Sequence, residues 1–411
     1  MINRRKFLGT SLGFGVTLLS LPYATGNGKP KRPGFQLSLD TPTRFFDGKT
    51  CWTHPRVGVI PGGNGRKQSL AVLTMNRLDL AGSDIFIEMA GMHSSDLGKS
   101  WEGPYTVENL NPAEQVLENI RRPVSVCDFW PAYHARSKKL LGTGHVAVYT
   151  PDWKIPPVRP RYTAYSVFDE NKMEWLPPKK LELPDPVKFF SSGAGCVQRF
   201  DKEDGTILLP FYFSPPGKNS QVTVATCSFD GNELKYLGHG NEMAVDDNTR
   251  GLHEPSITRF EGTYFLTLRN DQKGYVTRSK DGLHFDPIRP WTFDDGSDLG
   301  NYNTQQHWVT HRKGLFLVYT RRGANNDHVF RHRAPLFMAQ VDPDRLCVIR
   351  ETERILVPER GARLGNFGVT YVSPDETWVT VSEWMQPKGV EKYGSDGTVY
   401  IARIHWDTPN K

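Results

Sequence analysis

Glycoside hydrolysis ordinarily uses two carboxylates, one protonated and one ionised, flanking the bond that breaks. Asp128 and Glu254 stand at the starts of apolar runs, and Glu383 at the end of one. None sits in a motif that defines an acid/base pair by itself, and Glu254, which precedes a proline, could equally anchor a turn. Histidines are more telling. His54, His134, His145, His253 and His307 each stand beside an aromatic residue or at the start of an apolar run. An imidazole can give or take a proton near neutral pH. For any single one a structural role is the simpler account; several near strand starts point toward chemistry. Arg269, Arg321 and Arg322 add guanidinium forks able to grip a sugar carboxylate bidentately.

The elements that must position these residues read as β-structure. Arg259–Phe285 holds two β-rich runs, Tyr264–Leu268 and Tyr275–Ser279, closed by the turn Ser279-Lys280-Asp281-Gly282. In such a turn an Asp carboxylate caps backbone N–H groups and a later aromatic packs beneath it. Its fullest copy, Ser94-Ser95-Asp96-Leu97-Gly98-Lys99-Ser100-Trp101, has the S-x-D-x-G-x-S-W form of an Asp-box and resembles the turns of sialidase-like β-propellers. Weaker copies start at Ser228 and Ser373. Their spacings divide into steps of roughly 45–50 residues, the size of a propeller blade. The expected fold is all-β, a β-propeller of seven four-stranded blades with Asp-box turns. Turns near 139, 187 and 326 are interpolated, which leaves six or eight blades open.

Polar or aromatic clusters precede the apolar strands at 51–56, 128–134, 252–256, 301–308 and 364–368. In a propeller the innermost strand of each blade begins near the central channel, so these clusters should converge on one face. Alternation along a strand places Trp52, His54 and Arg56 on one side. Thr50–Ile60 is expected to complete the last blade and close the ring.

Composition limits the alternatives. The 411 residues carry a formal charge of +6. Arg4, Arg5 and Lys6 precede a short apolar run in a twin-arginine-like export signal, which implies a periplasmic destination. Without those three the charge is +3 over a long chain, which does not indicate nucleic acid. Residues 1–26 read as the signal, 27–44 as an extended leader and 45–411 as a single propeller domain. The mature part has no run able to span a membrane. The five cysteines are odd in number and read as buried thiols; the scattered His and Cys have no ligand spacing, which leaves a structural Zn²⁺ or Ca²⁺ open but unsupported, and no cofactor is expected.

The chain resembles the seven-bladed propellers of glycoside hydrolase family 145. The resemblance rests on Trp52-Thr53-His54-Pro55, His253-Glu254-Pro255-Ser256, Asn301–Trp308, Arg331–Phe337 and Gly365-Asn366-Phe367-Gly368, and covers roughly 45–405. It implies an α-L-rhamnosidase that removes rhamnose linked to glucuronic acid on arabinogalactan side chains. His54 would be the single acid/base, with the substrate's own carboxylate assisting. Trp52, Arg56, His134, His145, His253, Arg269, Tyr275, His307, Arg321 and Arg322 would bind substrate. The architecture also resembles ulvan lyases, which implies β-elimination at a uronate with His134, His145, Arg269 and Tyr275 as a lyase-like set. A non-catalytic glycan-binding propeller is the third reading. Sialidase activity is disfavoured: Pro55–Pro61 only loosely echoes the Arg-Ile-Pro start, and a sialidase also needs three arginines and a Tyr/Glu pair.

Overall fold

In a computed structural model the described residues are 33–410, apart from 64–67, 83, 118, 157 and 158. The paired-arginine segment lies outside them. The chain forms six antiparallel sheets, an all-β propeller of six blades rather than seven. Innermost strands begin near Thr50, Ile120, Ser192, His253, His307 and Gly368. They are 54 to 72 residues apart, longer than the step inferred from the turns. The turns at Ser94, Ser228 and Ser279 each link the third and fourth strands of a sheet, whereas Ser373 lies between the first and second strands of the sixth. Turns at unlike positions, together with the interpolated ones, produced a seventh blade.

The sheets cohere through what lies between them. Among the described residues seven apolar clusters occur, and six of them lie one between each pair of neighbouring blades. Ile207–Phe213 shows the sequence logic. Ile207, Leu209, Phe211 and Phe213 face the second blade, while Leu208 and Tyr212 face the fourth. A strand packed on both faces reads as an unbroken apolar run, because alternate side chains find a core on either side.

Ring closure differs from expectation. Thr50–Ile60 is the innermost strand of the first blade. Phe35–Arg44, read from the sequence as leader, pairs antiparallel with Thr398–Trp406 and supplies the outer strand of the sixth blade. This pairing ties the chain's early and late strands into one sheet and covers the outer edge of Thr398–Trp406. All five cysteines are free and buried. Among the described residues no helix is long and apolar enough to cross a membrane.

Candidate functional site

Five of the six blades share a device in or beside their innermost strands. His54, Asp128, Cys196, Glu254 and Asn303 have left-handed backbone conformations, with φ between 44° and 56°. At His54, Asp128 and Glu254 the strand register shifts across the same step, as in a β-bulge. Bulges re-aim side chains and concentrate beside functional sites. The break at His54 also cancels the alternation expected to group Trp52, His54 and Arg56.

The innermost strands open into a cleft of about 230 Å³, lined by His54, Asp128, His145, Tyr212, His253 and Glu254. Seven arginines, Arg159, Arg161, Arg250, Arg269, Arg331, Arg333 and Arg363, share the wall with Asp84, Asn366 and Trp384. Asp128 is the hub. His54 Nδ1 lies 3.1 Å from one carboxylate oxygen and His145 Nε2 3.7 Å from the other. The His54 approach is not aligned as a hydrogen bond. The Cys196 thiol donates to Asp128, and Asn366 contacts His54 Nε2 through its side-chain amide. His145 Nδ1 lies 3.3 Å from the Tyr212 hydroxyl. Gly195 makes room for this imidazole: a Cβ there would fall 1.6 Å from His145 Nδ1.

Electrostatics divide the cleft. Burial pushes the Asp128 carboxyl up, but nearby cationic groups more than reverse this: His54 and His145 when protonated, and Arg56. Its pKa falls to about 2. Burial, reinforced by Arg161, pulls His145 down to about 3. Burial also lowers His54 against the pull of Asp128, and lowers His253 with help from Arg269 and Arg250. The same desolvation keeps the Tyr212 phenol protonated. The cleft therefore holds an ionised carboxylate among neutral imidazoles.

The arginines are unequally partnered. Arg269 pairs with Glu254 and donates to Asn303 Oδ1 at 2.6 Å. Arg250 pairs with Asp271 at 2.5 Å. Arg333, 3 % exposed, and Arg363, 1 % exposed, have no carboxylate partner among the described residues, and the Nε of each lacks a hydrogen bond. Gly365 admits Arg333, whose Cδ would lie 2.4 Å from a Cβ placed there.

Of the residues singled out from sequence, His54, Asp128, His145, His253, Glu254 and Arg269 line the cleft. Arg56 lies outside that lining: fully buried, its guanidinium sits over Trp130 and donates to the Asn366 carbonyl at 3.2 Å. Trp52 packs between the first and sixth blades. His134 bonds Ser137 at 2.8 Å and the Gly205 carbonyl at 2.9 Å within a turn region. His307 is held by Ser256 at 2.7 Å between Trp130 and Phe367. Tyr275 packs at the edge of a core. Arg321 is occupied by Glu353, and Arg322 stacks on Tyr302. Glu383 accepts from Asp396 N, Thr398 N and the Tyr400 hydroxyl, a structural set. Sequence reasoning missed Cys196, Tyr212 and Arg161 as site residues. The left-handed site at Cys196 had one signal, the small-residue run Ser191–Gly195. Arg331, Arg333 and Asn366 lay within noted clusters but received no role.

Cys127, Asp128 and His145 also bring one donor atom each within 4.8 Å of one another, a set able to hold a metal ion. Burial keeps the Cys127 thiol protonated, and it lies 3.6 Å from the His145 carbonyl. That makes it a poor ligand in this state.

No family model and no curated protein matches the chain. Solved structures do. A Dyadobacter fermentans protein of unknown function superposes with TM-score 0.61 at 14% identity, over 90% of this chain and 99% of that one. Trypanosoma rangeli sialidase in complex with sialic acid gives 0.58 at 14% identity, over 91% of this chain and 59% of that one. The NanB sialidase of Streptococcus pneumoniae gives 0.57 at 12% identity, over 88% and 70%. The fold is that of a sialidase-like β-propeller.

Proposed function

We propose that this chain is an exported glycoside hydrolase acting on a glycan that carries a sugar carboxylate, with a rhamnosyl–glucuronate end as its specific substrate. The observation that carries the reading is the gathering of seven arginines with Asp84, Asp128 and Glu254 around one cleft at the channel mouth. Such a site favours an anionic ligand, because guanidinium groups without counter-charges gain most when an anion enters. Arg333, which has no carboxylate partner among the described residues, grips the carboxylate, with Arg269 beside it sharing its charge between Glu254 and the ligand. His54 is the acid/base: its Nδ1 faces Asp128, which leaves Nε2, now against Asn366, to exchange a proton with water or the leaving oxygen. Glu254, held by Arg269, is the second carboxylate at the site. Sialidase-like neighbours support a glycan-processing fold. Tyr212 engages His145 rather than Glu254, so the Tyr/Glu pair of a sialidase is not the arrangement favoured. Hydrogen bonds within the Ser94 and Ser279 turns support the Asp-box reading.

One observation favours a second reading, a uronate lyase. Tyr212, His145 and Asp128 form a chain, and Arg161 lies over the Tyr212 ring at 5.3 Å. β-Elimination needs a base, an acid and a cation that neutralises the carboxylate. The deciding experiment incubates the purified protein with arabinogalactan capped by rhamnosyl–glucuronate and with other uronate polysaccharides. Free sugar and ultraviolet absorbance are followed together. Rhamnose release that disappears in His54→Ala supports the hydrolase. Absorbance without free sugar, lost in His145→Ala, selects the lyase. Silence on every uronate glycan overturns both.

A further inference from the structure

We propose that Arg331 and Arg363, with Phe330 and Trp384, form a second anion subsite beside the carboxylate grip. The preferred glycan then carries an additional carboxylate or sulfate ester on the sugar next to its uronate. The inference rests on the proposed function and deepens its substrate class.

The cleft arginines fall into two groups by what they touch. Arg159, Arg250 and Arg269 are already balanced by Asp84, Asp271 and Glu254. Arg331 and Arg363 have no carboxylate within ion-pair distance among the described residues, yet both guanidinium groups lie 5.1 Å from the ring of Phe330. Arg363 also stacks on Trp384 at 3.9 Å. Its one side-chain hydrogen bond runs from Nη2 to Gln386 Oε1 at 2.6 Å, and its buried Nε is unused. A guanidinium with its faces covered by aromatic rings presents its edge, the part that forks onto carboxylate or sulfate oxygens.

Arg331 is presented by an unusual backbone. Its φ of 59° interrupts a short 3-10 turn, and the half-buried side chain lines the same cleft. Phe330 is 45 % exposed, so an apolar face borders the two cations where a sugar ring could rest. Burial, then the charge of Arg331, pulls Arg363 down to about 9. That is the expected condition of crowded cations whose counter-ion is not part of the chain.

Arg333 belongs to the first grip for a geometric reason. Its Nη2 donates to the Asn303 carbonyl and its Nη1 lies 3.5 Å from Asn366 Oδ1, which ties it to the channel-end residues. Arg363 is tied instead to the Trp384–Gln386 wall. Two differently anchored cation groups suit two anions better than one.

The test uses calorimetry with three trisaccharides: rhamnosyl–glucuronate attached to galactose, to 6-sulfated galactose, or to a second glucuronate. Wild type is expected to bind one or both charged forms at least about tenfold more tightly than the neutral form. The tighter of the two identifies the group recognised. Arg331→Gln and Arg363→Gln should each cut that ratio to about threefold or less. Arg322→Gln, outside the cleft, should preserve it. A wild-type ratio near one, or a ratio unaffected by both cleft variants, overturns the subsite. If none of the trisaccharides binds, the proposed substrate fails and sodium sulfate decides the subsite. It should raise the Tm of wild type above sodium chloride at matched ionic strength, but not that of Arg331→Gln. Equal shifts in the two proteins overturn the proposal.

Discussion

Asp128 and Asp96 are both held near a pKa of 2, by opposite routes. Asp96, in the outer turn, is lowered by groups within four residues: the Ser100 side chain and backbone first, then Ser94. Asp128, at the channel mouth, must overcome its own burial, and does so with partners from other parts of the chain: His54, His145, Arg56 and Cys196. The local arrangement survives wherever the turn sequence occurs and stabilises the fold. The assembled one exists only when three blades are in register. Carboxylates perturbed by distant, converging groups cluster at functional sites, which is why the proposed chemistry is placed at Asp128 and not at Asp96.

The largest effect that separates the two is catalytic. Asp128→Asn should lower turnover about 10²- to 10⁴-fold, the usual range for disabling an acid/base dyad. Initial rates of sugar release measure it, with far-ultraviolet circular dichroism confirming an unchanged fold. A variant within threefold of wild type would remove Asp128 from the proposed dyad. Next comes Arg269→Lys. A single ammonium cannot satisfy Glu254, Asn303 and a ligand carboxylate together, so KM should rise about tenfold or more with a smaller change in kcat. A purely lowered kcat would assign Arg269 to chemistry rather than to grip.

The pH dependence sharpens the contrast further. His145 titrates near 3 in the folded protein and near 6.5 when unfolded. Between those values the unfolded chain binds the extra proton, so stability should fall as pH drops from about 6.5 toward 3 and level off above that window. His145→Gln should flatten part of this slope in urea titrations. The outer turns respond elsewhere. Asp96 has a lowered folded pKa, so its contribution is present above about 3.8 and is lost as pH falls toward 2. A slope between pH 6.5 and 4 unchanged in His145→Gln would mean that other groups carry it.

The same contrast explains what could be read from sequence. Turn chemistry is local, and the residues at Ser94–Ser100 and Ser279–His284 state it in order. Strand-start clusters foretold a common mouth, because inner strands of any propeller converge. Blade number was not legible. It depends on where innermost strands begin, and insertions such as the long second blade stretch that interval without altering the turns. His54 was found, but not the bulge that turns it away from Trp52 and Arg56, since a left-handed residue other than glycine leaves little trace in composition. Tyr212 looked like one more apolar strand residue, and Cys196 like a buried thiol. Their partners, His145 and Asp128, are 67 and 68 residues away in the chain.

Asp96→Ala supplies the smallest and most discriminating effect. The Asp96 carboxylate accepts from Ser100 N at 3.0 Å and Ser100 Oγ at 2.6 Å, and the Ser94 hydroxyl lies 2.8 Å from it. Removing it leaves those donors to water, because the turn is on the surface, so the cost is a loosened link between the third and fourth strands rather than an orphaned buried group. Below it, Trp101 packs against Trp378 at 6.2 Å, so the first and sixth blades share the loss. Tm should fall by a few degrees, while kcat/KM stays within about twofold because no cleft residue is touched. A large loss of activity with an unchanged Tm would break the comparison. It would show that the outer turn communicates with the channel mouth, and that local and assembled carboxylates are not the separate devices inferred from their partners.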